Sequence, residues 1–215
     1  MPRLMIEGYV DSVVPSFSDD DDESKSLSVP VIRFQGERVS VPTVVLAGKP
    51  SSATVLHFAC NASRTGDLYM NDRIVGKSFV SGQVGYICLA VETSVILNDI
   101  FTGFNRVIVL VSRQAPQSQM TFISTDPEVK LNGISSMDSP LTGMAARVFT
   151  ESVMSGYECV VIINEHRPIR VEAHGIIELY SSLSQLVPLP VKQEEFVMSS
   201  FKKLVPINSR VPLYS

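Results

Sequence analysis

Val84-Gly85-Tyr86-Ile87-Cys88-Leu89-Ala90-Val91 is an unbroken apolar run, and Val107-Ile108-Val109-Leu110-Val111 is a second. Between them Val95, Ile96, Ile100, Phe101 and Phe104 repeat with roughly helical spacing. The stretch reads as strand, helix, strand. Strands that are apolar at every position belong to a sheet covered on both faces, and a helical crossover between two of them makes them parallel. The expected fold is α/β: a layered fold with a mostly parallel central sheet flanked by helices.

Toward the N-terminus, Val41 to Ala47 is rich in β-branched residues and closed by Gly48, and Thr54 to Cys60 is again apolar. Both are expected to be buried strands. Arg64 to Gly82 mixes glycine, charge and isolated apolar residues, and an irregular segment is expected there. Toward the C-terminus come a short strand at Met120 to Ser124 and a turn-rich linker containing Asn132-Gly133. Ser139-Pro140 has the form of a helix opening, with Ser as cap and Pro in the first helical position. Leu141, Met144, Ala145, Val148 and Phe149 would form the inner face of that helix. Cys159 to Ile163 is another buried strand, and Ile176, Leu179, Tyr180, Leu183 and Leu186 recur at three and four, the clearest amphipathic stripe in the chain.

Pro188 and Pro190 interrupt the chain before a last helix, about Val191 to Leu204, with Phe196, Val197, Phe201 and Leu204 on one side. The tail beyond it contains Pro206 and Pro212 and cannot be helical. At the other end, Ser16 to Ser28 holds serines, the run Asp19-Asp20-Asp21-Asp22-Glu23 and hardly any apolar side chain, so burial cannot offset its ordering entropy. The expected plan is an N-terminal segment over 1–28 with a disordered acidic stretch, a single α/β domain over 29–204, and a flexible tail over 205–215.

With 215 residues, 45% hydrophobic and 19% charged, and a mean hydropathy of +0.20, the chain suits one domain and is slightly apolar for a monomer. Some apolar surface is expected to meet a partner. The net charge of −4 is local: without the run Asp19 to Glu23, 17 acids stand against 18 bases. A near-neutral body lacks the broad basic face that phosphate-backbone binding requires, so nucleic acid is not an expected partner.

Cys60, Cys88 and Cys159 lie far apart within apolar runs and fit neither a disulfide framework nor a structural zinc site. They read as reduced core residues of a cytosolic or nuclear protein. Met1 to Ile6 lacks the apolar core of a signal peptide, and no run approaches the ~18 apolar residues of a membrane span. Neither export nor a membrane partner is expected, and the sequon Asn61-Ala62-Ser63 carries no weight in a reducing compartment.

Gly48-Lys49-Pro50-Ser51-Ser52 invites comparison with a phosphate-binding loop, but the earlier glycine would fall at Thr43, and Pro50 removes a backbone donor that the anion needs. No G-x-S-x-G or G-x-G-x-x-G string occurs. His57 stands three residues from Cys60, which in a strand puts the two on opposite faces and makes a poor dyad. The best enzymatic constellation is Glu165-His166-Arg167-Pro168 with Glu172 and His174 opening the next helix, at a strand's carboxyl end where α/β enzymes place their sites. A small hydrolase or transferase using Glu165, His166 and His174 is therefore the alternative reading. It lacks a nucleophile, a phosphate loop and metal-ligand spacing, and the same residues suit an ordinary polar loop and helix start. Glu158 and Glu165 flank a strand, too far apart to share work. No cofactor, metal site or catalytic set follows from the sequence.

The chain ends Leu213-Tyr214-Ser215: an apolar residue, a penultimate tyrosine and a terminal carboxylate, reached through a proline-stiffened segment. Phe201-Lys202-Lys203-Leu204 followed by Val211-Pro212-Leu213-Tyr214-Ser215 resembles the closing helix and tail of the proteasome assembly chaperone 1 family. The strand-helix-strand of Tyr86 to Val111, the Ser139-Pro140-Leu141 helix start, and the Val160 to Leu183 strand and helix follow the family's layout in order. The likeness spans most of the chain from about position 40, and its one functional motif is the terminal tripeptide. It implies a non-enzymatic chaperone that heterodimerises with proteasome assembly chaperone 2. It also implies binding to α-subunits of the proteasome core particle, with Leu213, Tyr214 and Ser215 entering an inter-subunit pocket to promote α-ring assembly.

Overall fold

The computed structural model describes residues 32–48, 61–91, 93, 95–137, 140–166 and 173–189. In chain order its strands are β1 (Arg33–Gly36), β2 (Val39–Ser40), β3 (Thr43–Gly48), β4 (Ser63–Met70), β5 (Arg73–Ser81), β6 (Val84–Leu89), β7 (Phe101–Thr102), β8 (Arg106–Gln114), β9 (Gln119–Ser124) and β10 (Ser135–Ser136). Helix α1 (Gly143–Ser155), strand β11 (Glu158–His166) and helix α2 (Ala173–Leu186) follow. A nine-stranded sheet runs β1-β4-β5-β6-β3-β8-β11-β9-β10. Its centre, β6-β3-β8-β11, is parallel throughout, while β1, β4, β5 and β6 join antiparallel on one side and β9 pairs antiparallel with β11 on the other.

The continuous apolar strands work as expected, because consecutive side chains enter two different cores. Val45, Ala47, Tyr86, Ile108, Leu110, Val160 and Ile162 belong to one core, which Leu179, Tyr180 and Leu183 of α2 cover. Val44, Leu46, Ile87, Leu89, Val107, Val109, Val161 and Ile163 belong to the other, covered by Met144, Ala145 and Val148 of α1. The two amphipathic stripes thus pack on opposite faces of one sheet.

Three expectations need correction. The crossover from β6 to β8 is not an α-helix: only Leu97–Asp99 makes a single 3-10 turn, and β7 pairs with β2 in a separate two-stranded sheet. Val95, Leu97, Ile100 and Phe101 are buried, so the apolar residues cover the second core through irregular backbone whose polar groups bond to β2. The parallel relation survives, with β3 inserted between β6 and β8.

Arg64 to Gly82 is not irregular but the β4–β5 hairpin, its turn at Asn71 and Asp72 with φ of 50° and 58°. Both residue types tolerate the left-handed region that a two-residue hairpin turn demands. The helix expected from Ser139-Pro140 begins later, at Gly143, because Thr142 is still extended at φ −133°, ψ 165°. It ends at Gly156, whose φ of 75° suits the left-handed cap, with its N–H donating to the Ser152 carbonyl at 2.8 Å. The segments Thr54 to Cys60 and Val191 to Leu204, the acidic stretch and the tail lie outside the described residues.

Candidate functional site

The carboxyl end of β11 is where sequence reasoning placed its enzymatic alternative. Register puts Glu165 of β11 between Arg113 of β8 and Gln119 of β9, one row across three strands. The buried Glu165 carboxylate accepts from Arg113 Nε at 2.6 Å on Oε1 and from the Gln119 side-chain amide on Oε2. An ionised carboxylate held by a guanidinium and an amide is satisfied where it stands. It ties a parallel strand pair to an antiparallel one. His166 lies opposite Gln114 in the same register, and His174 falls in the first turn of α2. The side chains of both, with Arg167, Pro168 and Glu172, lie outside the described residues.

At the amino end of the same strand, Glu158 accepts from Arg106 Nε at 2.7 Å. Seven residue steps along β11 separate the two acids by about 23 Å, which rules out a shared task, as expected. Cys159 is buried between β8 and α1, and burial pushes its thiol up to about 12 against the opposing influence of the Ser152 hydroxyl. A thiol so far from ionisation is no nucleophile. Cys88 is half-buried and, like Cys159, forms no disulfide, while Cys60 and His57 lie outside the described residues. Among the described residues no group of three His, Cys, Asp or Glu could hold a metal ion, and no helix is long and apolar enough to cross a membrane.

Several large apolar side chains of the described surface are exposed. Val153 and Met154, in the last turn of α1, are 63% and 83% exposed, and Ile74 on β5 is 51% exposed. Sequence reasoning missed all three. Val153 and Met154 could have been found, because they lie off the 144, 145, 148, 152 spacing that buries the rest of α1. The partner-binding residues Leu213, Tyr214 and Ser215 lie outside the described residues.

No family model and no curated protein sequence matches the chain. Solved structures do match in fold. Pyrococcus furiosus PbaB, an archaeal proteasome activator, superposes with a TM-score of 0.60 at 13% identity, over 81% of this chain and 96% of that one. PbaA of the same organism, an archaeal homolog of proteasome-assembly chaperone, gives 0.58 at 13% identity over 81% and 93%. A proteasome-assembly chaperone homologue of Mycobacterium tuberculosis gives 0.53 at 10% identity over 80% and 97%.

Proposed function

We propose that this chain is a proteasome assembly chaperone of the proteasome assembly chaperone 1 type. In this reading it pairs with proteasome assembly chaperone 2, binds α-subunits of the core particle and inserts Leu213-Tyr214-Ser215 into a pocket between two of them. The observation that carries the reading is the shared fold with PbaA and PbaB over four fifths of this chain and nearly all of theirs, joined to the C-terminal tripeptide. The body, 29–204, would dock on the ring while the tail, 205–215, reaches the pocket, with 1–28 standing apart from both. The engagement of Glu165 by Arg113 and Gln119 favours this reading over an enzymatic one, since the carboxylate is already committed to the sheet.

The test is co-purification of the tagged chain with proteasome α-subunits from cells expressing its partner, with the intact tail and with residues 213–215 removed. Retention by the intact chain and loss on truncation supports the proposal. Equal retention, or none by either, overturns it.

A further inference from the structure

The β1–β4–β5 end of the sheet has one face turned to the second core and one turned away from it. Phe34, Leu68, Met70 and Val75 pack inward. Alternation along the strands then sets Arg33 of β1 and Lys77 of β5 on the outer face, because Arg33 lies opposite Tyr69, Tyr69 opposite Ile74, and Asp67 opposite Lys77. Arg64 stands on the same face in an ion pair with Asp67. Arg33, Ile74 and Lys77 are exposed, and among the described residues neither Arg33 nor Lys77 has an ion-pair partner. The outer face therefore presents two uncompensated cations around an exposed isoleucine.

The acid that would complement it belongs to the same chain. Asp19 to Glu23 carries five negative charges, and Glu23 precedes Arg33 by ten residues. Ten residues span at most about 33–36 Å. Arg33 and Lys77 stand two strand spacings apart and two residues offset along the strands, about 12 Å in all. Every carboxylate of the run can thus reach both cations, and a tether this short holds the local acid concentration at about the millimolar level.

We propose that the segment Asp19–Glu23 docks in cis on the outer face of β1, β4 and β5, pairing with Arg33 and Lys77 and covering Ile74. The contact is exposed and ionic, so salt weakens it, and a partner offering its own carboxylates to this face displaces it.

Zero-length carbodiimide coupling of the full chain tests this, because it joins a lysine amine to a carboxylate only where the two touch. Peptides linking Lys77 to Asp19–Glu23 should exceed those linking Lys130 at least tenfold at low salt. Lys130 is also exposed but follows β9, near the opposite edge of the sheet. The Lys77 product should fall at least fivefold in 0.5 M NaCl and at least threefold in Arg33→Gln. Mixing isotopically light and heavy copies should leave it within one copy. Equal coupling to Lys77 and Lys130, insensitivity to salt, or linkage only between copies would each overturn the proposal. None of these outcomes bears on whether the tail binds a proteasome.

Discussion

The buried ring of Phe101 ends against the backbone of Gly85: a methyl group there would stand 2.7 Å from Cζ, with Cε1 and Cε2 at 2.8 and 2.9 Å. Gly85 is the second residue of β6, and Phe101 is fully buried in the core on that face. The ring cannot move away without displacing its neighbours. Gly85→Ala should cost about 1–3 kcal/mol in overpacking, less up to ~1 kcal/mol returned by a stiffer unfolded chain. A fall of roughly 2–8 °C in melting temperature follows. Gly48→Ala provides the contrast, because there the atom in the way is the terminal methyl of Met144 at 2.7 Å, which can swing aside. Thermal melts should show the second variant within about 2 °C of the parent.

The same pair shows why part of this fold was legible and part was not. β3, β6, β8 and β11 are buried on both faces, so their apolar runs announce themselves without tertiary information, as does the stripe of α2. The Val95–Phe104 crossover has apolar residues at helical intervals, yet their spacing reflects the pockets they fill, Phe101 on Gly85 among them, and not a helix period. The β4–β5 hairpin shows no clean alternation, because irregularities at Arg64/Gly66 and Leu68/Tyr69 shift its register and one of its faces is polar. Asn71-Asp72 was the one local signal for it. Of the candidate site, the tripeptide could be read only by resemblance, while Glu165 looked catalytic because sequence cannot show that Arg113 and Gln119 flank it.

Glu165→Gln tests that structural role. The substitution keeps the shape but removes the charge that organises Arg113 and Gln119, leaving a buried amide between two donors. A loss of about 1–3 kcal/mol is expected in denaturant unfolding, with most of the cost moderated by the access of Arg113 to water. Capture of α-subunits by the folded variant should be unchanged. A stability equal to the parent's, with loss of an activity, would return Glu165 to the enzymatic reading.

Cys159 sets an alkaline limit on stability. Its folded-state value is about 12 against an ordinary 9.0, raised by burial. Between these values the folded chain holds a proton that the unfolded chain has lost, so the Cys159 contribution to stability is constant below pH 9 and is lost as pH rises from 9 to 12. The slope approaches about 1.4 kcal/mol per pH unit. Tyr157, also raised by burial, steepens the decline above pH 10. Unfolding free energies at pH 8, 9, 10 and 10.5 should show the bend, and Cys159→Ala should flatten the part between 9 and 10. At pH 8 iodoacetamide should modify half-buried Cys88 well before Cys159.

The tail prediction turns on how little three residues can contribute alone. Burial of the Tyr214 ring is worth about 1.5–3 kcal/mol, and a charge-assisted bond to the terminal carboxylate about 1.5–3 more, before ordering costs. A free peptide ending Leu-Tyr-Ser should therefore bind α-subunits with a dissociation constant of roughly millimolar to tens of micromolar. The folded body must supply the rest, by making insertion of the tail intramolecular. From Leu204 to Ser215 the chain spans at most about 36–40 Å, and Pro206 and Pro212 reduce the freedom lost on insertion. Tyr214→Ala should weaken capture of the α-ring at least tenfold while leaving the melting temperature and pairing with the second chaperone untouched. Adding one residue after Ser215 should do comparable harm, because it moves the carboxylate away from the ring while preserving every side chain. Co-purification at several salt concentrations reads both variants. If the extended chain binds as well as the parent, the carboxylate is not recognised, and if the Tyr214 variant does too, the tail is not the anchor.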